Sequence, residues 1–250
     1  MSLLPDVPPI VLLNAFPVDR AQWEPLIAAW GDRAQGDVIT FDMPGIGEMP
    51  LTDEEPSLEL IADAAVLAMR EATGADAAVW IGCSMGGYVA MAVAERFPDA
   101  VAGLGLLATK ASADTEEAAA TRERNALAAE GAGGVPDPRA AAEGLVGTEG
   151  PAREELVEWV AANVAKHAGD GIAWGQRAMA SRPDRLEVLR AVDAPAVVIA
   201  GEKDGIVPRD AMDAVAAALE VSTVVIDGAG HLVAVEKPVE AAEALLPLLR

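Results

Sequence analysis

Hydrophobic positions along the chain alternate between two textures. Short, nearly unbroken apolar runs rich in Val, Ile and Leu recur at residues 9–14, 37–42, 77–82, 101–107, 196–201 and 222–227. Apolar residues on both sides of so short a segment predict strands buried on both faces of a parallel sheet. Between them lie longer, Ala-rich amphipathic stretches at 20–30, 57–72, 85–97, 209–219 and 238–249, which predict helices. The strand-then-helix alternation predicts an α/β fold of the doubly wound type.

The alternation fails between residues 111 and 191. No strand pattern occurs there, only helix-compatible stretches at 115–130, 152–167 and 172–181, with the turn signal Gly-Ala-Gly-Gly-Val-Pro at 131–136. Strand character resumes near Ala194. The expected organisation is one α/β core, residues 1–110 and 192–250, with a helical cap, 111–191, inserted before the last two strands. Insertions of this kind usually cover a functional edge of the sheet.

Charge narrows the field of partners. The 250 residues include 18 Lys and Arg against 40 Asp and Glu, a formal net charge of −22. A nucleic-acid binder tracking phosphates needs a basic face, and anionic lipid repels such a chain, so neither partner is expected. With 52% apolar residues it is not an acidic disordered tail. Cys83 is the sole cysteine, which excludes an internal disulfide and a multi-cysteine metal site. The start has no basic segment followed by a long apolar run, and no stretch of about 20 apolar residues occurs. A cytoplasmic setting is expected.

One segment carries chemistry. Gly82-Cys83-Ser84-Met85-Gly86 joins a predicted strand to a predicted helix. A serine on such a tight turn is held above the sheet edge in a strained conformation, and the flanking glycines remove side chains that would collide with backbone. The helix N-terminus behind it favours developing negative charge. Cys83 points away from the turn's tip and reads as a small buried hydrophobe. A serine nucleophile needs a base and an orienting acid. Of the two histidines, His231 follows the last strand in Gly-Ala-Gly-His, whereas His167 lies near a helix end in the cap. His231 is therefore the expected base. Asp204 follows the fifth strand, at the carboxyl edge where α/β sites form. Glu202 and Asp227 are the other acids in reach. After the first strand, Asn14-Ala15-Phe16-Pro17 offers the Phe16 N–H as one oxyanion donor, with Met85 N–H as the second.

Taken together, these residues resemble the alpha/beta-hydrolase-fold serine hydrolases over nearly the whole chain. Ser84-Met85-Gly86-Gly87 is similar to the elbow of esterases, enol-lactonases and cofactor-free perhydrolases of that fold. Asp42-Met43-Pro44-Gly45-Ile46-Gly47 resembles the family's D-x-P-G-x-G loop, whose aspartate is mainly structural. The resemblance implies the order nucleophile, acid, histidine, which Ser84, Asp204 and His231 follow. It implies acyl transfer from a small ester or lactone without a metal or organic cofactor. Perhydrolysis or acyl transfer by the same triad, and a non-catalytic ligand-binding role on the same fold, are the competing implications.

Two features depart from the family. Asn14-Ala15 stands where His-Gly is frequent, and only about eight residues precede the first strand, so the usual N-terminal antiparallel hairpin is expected to be missing. The cap segment 173–184 is similar to cap segments in relatives of 3-oxoadipate enol-lactonase. Trp174 and Val207 are the expected pocket walls. The cap holds 9 basic and 14 acidic residues, the remainder 9 and 26. Arg177, Arg182, Arg185 and Arg190 crowd the end of the cap, and one of them is expected to bind a substrate carboxylate.

Overall fold

The computed structural model describes residues 7–249. The start at residues 1–6, read above as no signal peptide, lies outside them. Among the described residues the sheet has six strands, all parallel. They are β1 (Ile10–Leu13), β2 (Val38–Phe41), β3 (Ala78–Cys83), β4 (Val101–Leu107), β5 (Ala196–Gly201) and β6 (Thr223–Ile226), in the spatial order β2-β1-β3-β4-β5-β6.

The side chains of each strand divide between two layers. Val11, Leu13, Trp80, Leu104, Leu106, Val198 and Ala200 face one. Ile10, Leu12, Val79, Ile81, Leu107, Val197 and Ile199 face the other. Burial on both sides is what makes these strands read as continuous apolar runs. The helices α1 (Glu24–Trp30), α2 (Leu58–Thr73) and α3 (Met85–Arg96) follow the first three strands. Ser57 caps α2 by accepting from Leu60 N–H at 3.1 Å.

Between β4 and β5 lie five helices: α4 (Glu116–Ala132), α5 (Pro138–Leu145), α6 (Ala152–Val164), α7 (Gly169–Ala180) and α8 (Leu186–Arg190). Of these, α5 and α8 escape the sequence reading, because both are short and sit beside Pro and Gly punctuation. The turn expected from residue 131 begins later: α4 runs through Gly131 and Ala132 and stops at Gly133, with φ 73°. These cap helices close over both layers. Ala129, Ile172, Trp174 and Met179 join the first, and Leu145, Val157, Val160 and Val164 the second.

The chain closes with α9 (Arg209–Ala218), α10 (Val233–Glu236) and α11 (Pro238–Leu245). The last helix stops short of the expected residue 249 and tightens into a 3-10 turn at Leu246–Leu249, where Pro247 has no N–H to continue an α-helix. Because the strands are parallel, the loops after β1, β3, β5 and β6 all emerge at one edge, beneath the cap.

Candidate active site

Ser84 sits between β3 and α3 with φ 52° and ψ −112°, a conformation an L-residue holds only when its surroundings fix it. They do so through backbone. Ser84 N–H donates to Leu107 O at 2.9 Å, while Ser84 O accepts from Gly87 N–H at 2.9 Å and from the Thr109 hydroxyl at 2.8 Å. The glycines are required by close approach. A Cβ on Gly82 would fall 2.2 Å from Gly86 O, and one on Gly86 would fall 2.0 Å from Leu13 O. The same contact brings the loop after β1 against the elbow. Met85 opens α3, so its N–H belongs to the first turn, where no intrahelical acceptor exists.

Asn14 and Gln22 shape that β1 loop. Asn14 Nδ2 donates to Val18 O at 3.3 Å and to Asp42 Oδ1 at 3.2 Å, and Ala15 N–H donates to Gln22 Oε1 at 2.8 Å. Asp42 also accepts from Arg20 N–H, Arg20 Nε and Glu48 N–H. It is a buried bracket between loops, which agrees with the structural part implied for it. Phe16, expected to offer an oxyanion donor, lies in this loop. Its ring lies against α7, where a Cβ on Gly175 would sit 2.5 Å from Phe16 Cε2.

His231 Nδ1 lies 3.0 Å from Asp204 Oδ2 and 3.2 Å from Oδ1, with both side chains buried. Asp204 Oδ1 accepts from Ile206 N–H at 2.8 Å and Val207 N–H at 3.1 Å. Burial pushes the Asp204 carboxyl up, but the His231 bond and the two backbone N–H groups outweigh it and hold the group below its ordinary range. An ionised Asp204 fixes the ring with Nδ1 protonated and Nε2 available as a base.

The other candidates lie elsewhere. Glu202 is exposed and accepts from Gly228 N–H at 2.9 Å, and Asp227 is exposed beyond β6. His167 borders a separate groove with Asp19 and Asp42. Its burial disfavours protonation, against the pull of Asp19. Cys83 is fully buried in the opposite layer, and burial pushes its thiol far up, so no thiolate forms there.

Ser84 and His231 open into one cavity of about 660 Å³, within the roughly 300–1,000 Å³ usual for small-molecule sites. Phe16 and Pro17 form its floor, and α4, α5 and α7 its far wall. Trp174 and Val207 do not line it. Ile172, Gln176 and Met179 share one face of α7 at helical spacing, and Trp174 sits two residues off that face. Its indole N–H instead donates to Glu54 O at 3.1 Å. Val207 is turned into the core by the loop that wraps Asp204, which presents Gly205 and Ile206 to the cavity.

Nor do the four arginines at the end of the cap reach it. Arg177 pairs with Glu123 at 3.0 Å and Glu130 at 2.6 Å, tying α7 to α4. Arg182 is buried against Asp114 at 2.7 Å. Arg185 pairs with Glu59 and Glu95, and Arg190 with Glu187. The cation that does line the cavity is Arg122 of α4, beside Tyr88, Asn125 and Gln176. The signal for it was the 3–4 spacing of Arg122, Asn125 and Ala129, which places them on one face of a helix.

The cap also braces the histidine loop. His231 N–H donates to Leu145 O at 3.1 Å. Buried Glu236 accepts from Gly147 N–H at 2.9 Å, Thr148 N–H at 2.7 Å and Leu232 N–H at 3.2 Å, joining cap to core.

Residues 10–244 match the profile of the Alpha/beta hydrolase family. The chain belongs to the alpha/beta hydrolase family. Among solved structures, this hydrolase is similar to a thermophilic esterase from Thermogutta terrifontis, determined with malate bound: 31% identity, TM-score 0.90, covering 97% of this chain and 89% of the other. An enol-lactonase from Burkholderia xenovorans LB400 shares the fold at 22% identity and TM-score 0.81, covering 98% and 92%. The dihydrolipoyllysine-residue acetyltransferase component of the acetoin cleaving system of Pseudomonas putida is 28% identical over 97% of this chain. This chain spans 63% of that relative's length. Among the described residues no helix is long and apolar enough to cross a membrane, and no cluster of three or more His, Cys, Asp or Glu is placed to hold a metal.

Proposed function

We propose that this alpha/beta hydrolase cleaves a small carboxylic ester or lactone through Ser84, His231 and Asp204. The supporting observation is that Ser84 and His231 border one cavity while Asp204 holds the far nitrogen of the imidazole. In this reading Ser84 Oγ attacks the carbonyl carbon, and its proton passes to His231 Nε2. The N–H groups of Phe16 and Met85 stabilise the tetrahedral oxyanion. The bond to the leaving oxygen breaks as His231 returns the proton to it, leaving an acyl-Ser84. Water then adds to the acyl carbon, giving its proton to His231. Ser84 leaves with that proton, and the carboxylic acid is released. No metal or organic cofactor enters these steps.

The test is a panel of p-nitrophenyl esters and lactones assayed with wild type and Ser84→Ala. Turnover of at least one member that disappears in the variant supports the reading. Turnover that survives Ser84→Ala refutes the nucleophile. The partial likeness to the acetyltransferase component favours acyl transfer as a second reading. Adding a thiol acceptor to the same assay separates the two, since a thioester product marks transfer.

A further inference from the structure

The charges gathered on the cap wall around the buried Asp114–Arg182 pair hold more cations than anions. The Asp114 carboxylate is the shared partner of three cations. Lys110 Nζ lies 3.3 Å from Oδ1 and Arg182 Nη2 2.7 Å from the same oxygen, while Arg122 Nε bonds Oδ2. One negative charge against three leaves a net of +2, in a protein whose overall charge is −22.

Of the two surplus cations, Arg122 faces the catalytic cavity, while Lys110 borders a separate groove with Glu117. Arg122 lines the cavity and is about one-fifth exposed. Nη1 donates to Gln176 Oε1 at 3.3 Å, and no hydrogen bond from Nη2 occurs among the described residues. Arg182 is sealed beneath, its guanidinium 4.2 Å from the centre of the Tyr88 ring, and Tyr88 lines the same cavity. Among the described residues the one carboxylate on the lining is Asp137, which is exposed and occupied in capping α5 through Ala140 N–H at 2.9 Å. With Nε on Asp114 and Nη1 on Gln176 and Met179 Sδ, Arg122 presents Nη2 as a charged donor suited to a carboxylate oxygen.

We propose that Arg122, with Gln176 beside it, forms a carboxylate subsite, so that the hydrolase selects esters or lactones carrying a second, free carboxylate. The assignment rests on the ester or lactone reading above and names the substrate class for that site.

The test compares monoethyl glutarate with ethyl pentanoate, which differ in a terminal carboxylate against a methyl group, and the succinate and adipate pairs to vary reach. Wild type should favour the acid of at least one pair in kcat/KM. Arg122→Met should lower that preference about 10–100-fold, the worth of a charge-assisted hydrogen bond. Arg122→Lys keeps a charge beside Asp114 and loses the Nη2 donor. It should lower the preference by about threefold or more, and it serves as the test if the Met variant does not fold. An unchanged preference in a folded variant overturns the subsite and leaves the hydrolase reading standing. If wild type cleaves none of these esters, the p-nitrophenyl ester and lactone panel decides the ester or lactone reading, and calorimetry with glutarate decides the subsite. Binding that is lost in the Arg122 variant supports it, and no binding to wild type overturns it.

Discussion

The two walls of the cavity are held by different forces. On the core side, backbone does most of the fixing: Ser84 by its ladder bond to Leu107 and by glycines in close contact, Asp204 by two N–H groups of its own loop. On the cap side, side chains do the holding, through the Arg177 bridge to α4 and the Asp114 cluster. Backbone geometry tolerates almost no substitution, whereas a helical face can change one residue at a time. Under the proposed function, bond-making belongs to the core wall and selection to the cap wall, a division that predicts unequal effects of mutation.

The largest effect belongs to the core. Ser84→Ala should cut kcat by about 10⁴–10⁶-fold on any ester the wild type cleaves, with the melting temperature little changed. Asp204→Asn should cost about 10⁴-fold through the wrong imidazole tautomer. A loss under tenfold in either, measured as initial rates, would break the distinction between the walls.

The next effect should appear as stability. Asp114→Asn removes the shared counterion of three cations and should destabilise by about 3–5 kcal/mol in urea unfolding at pH 7. The Asp114 carboxyl is held well below its ordinary range: burial raises it, and the hydrogen bonds and charges of Arg182 and Arg122 more than offset that. A depressed folded value stabilises fully above the unfolded pKa of about 3.9 and is lost as pH falls through the lower folded value. Wild-type stability should therefore drop below about pH 4, and the variant should show a shallower drop there. Equal acid slopes would exclude Asp114 as a source of the dependence.

Glu236→Gln sharpens the comparison at the seam between the walls. It weakens the two N–H bonds from Gly147 and Thr148 that join the cap to the histidine loop, and the Leu232 N–H bond within that loop, and should cost about 1–3 kcal/mol. Because it touches no reacting atom, kcat should fall far less than in Asp204→Asn. The smallest effect is expected for Ile206→Ala, at the cavity rim, where only apolar contact is lost. There KM should rise by a few-fold and kcat stay constant.

What could be read in the sequence follows the same division. The strands were legible because burial on both faces writes a continuous apolar run, as in Val-Trp-Ile of β3. Ser84, Asp204 and His231 were legible because each sits in a local motif whose spacing is set by a turn. Trp174 and Val207 were misplaced because side-chain direction depends on helix phase and on the Asp204 loop, neither of which composition carries. Arg177, Arg182, Arg185 and Arg190 drew attention by clustering in sequence, but the carboxylate partners of the first three, such as Glu59 and Glu95 for Arg185, lie far away in the chain, and that of Arg190 is its helix neighbour Glu187. Arg122 and Glu236 matter through contacts that exist only after the cap has closed. The four-residue α10 is a single turn, too short for any period to appear.

The most direct test of the central claim is labelling with a fluorophosphonate, followed by peptide mapping of the adduct. The account predicts one equivalent on Ser84 in the wild type, none in Ser84→Ala, and much slower labelling in Asp204→Asn. Folded wild-type protein that stays unlabelled, or an adduct on a residue other than Ser84, would contradict it.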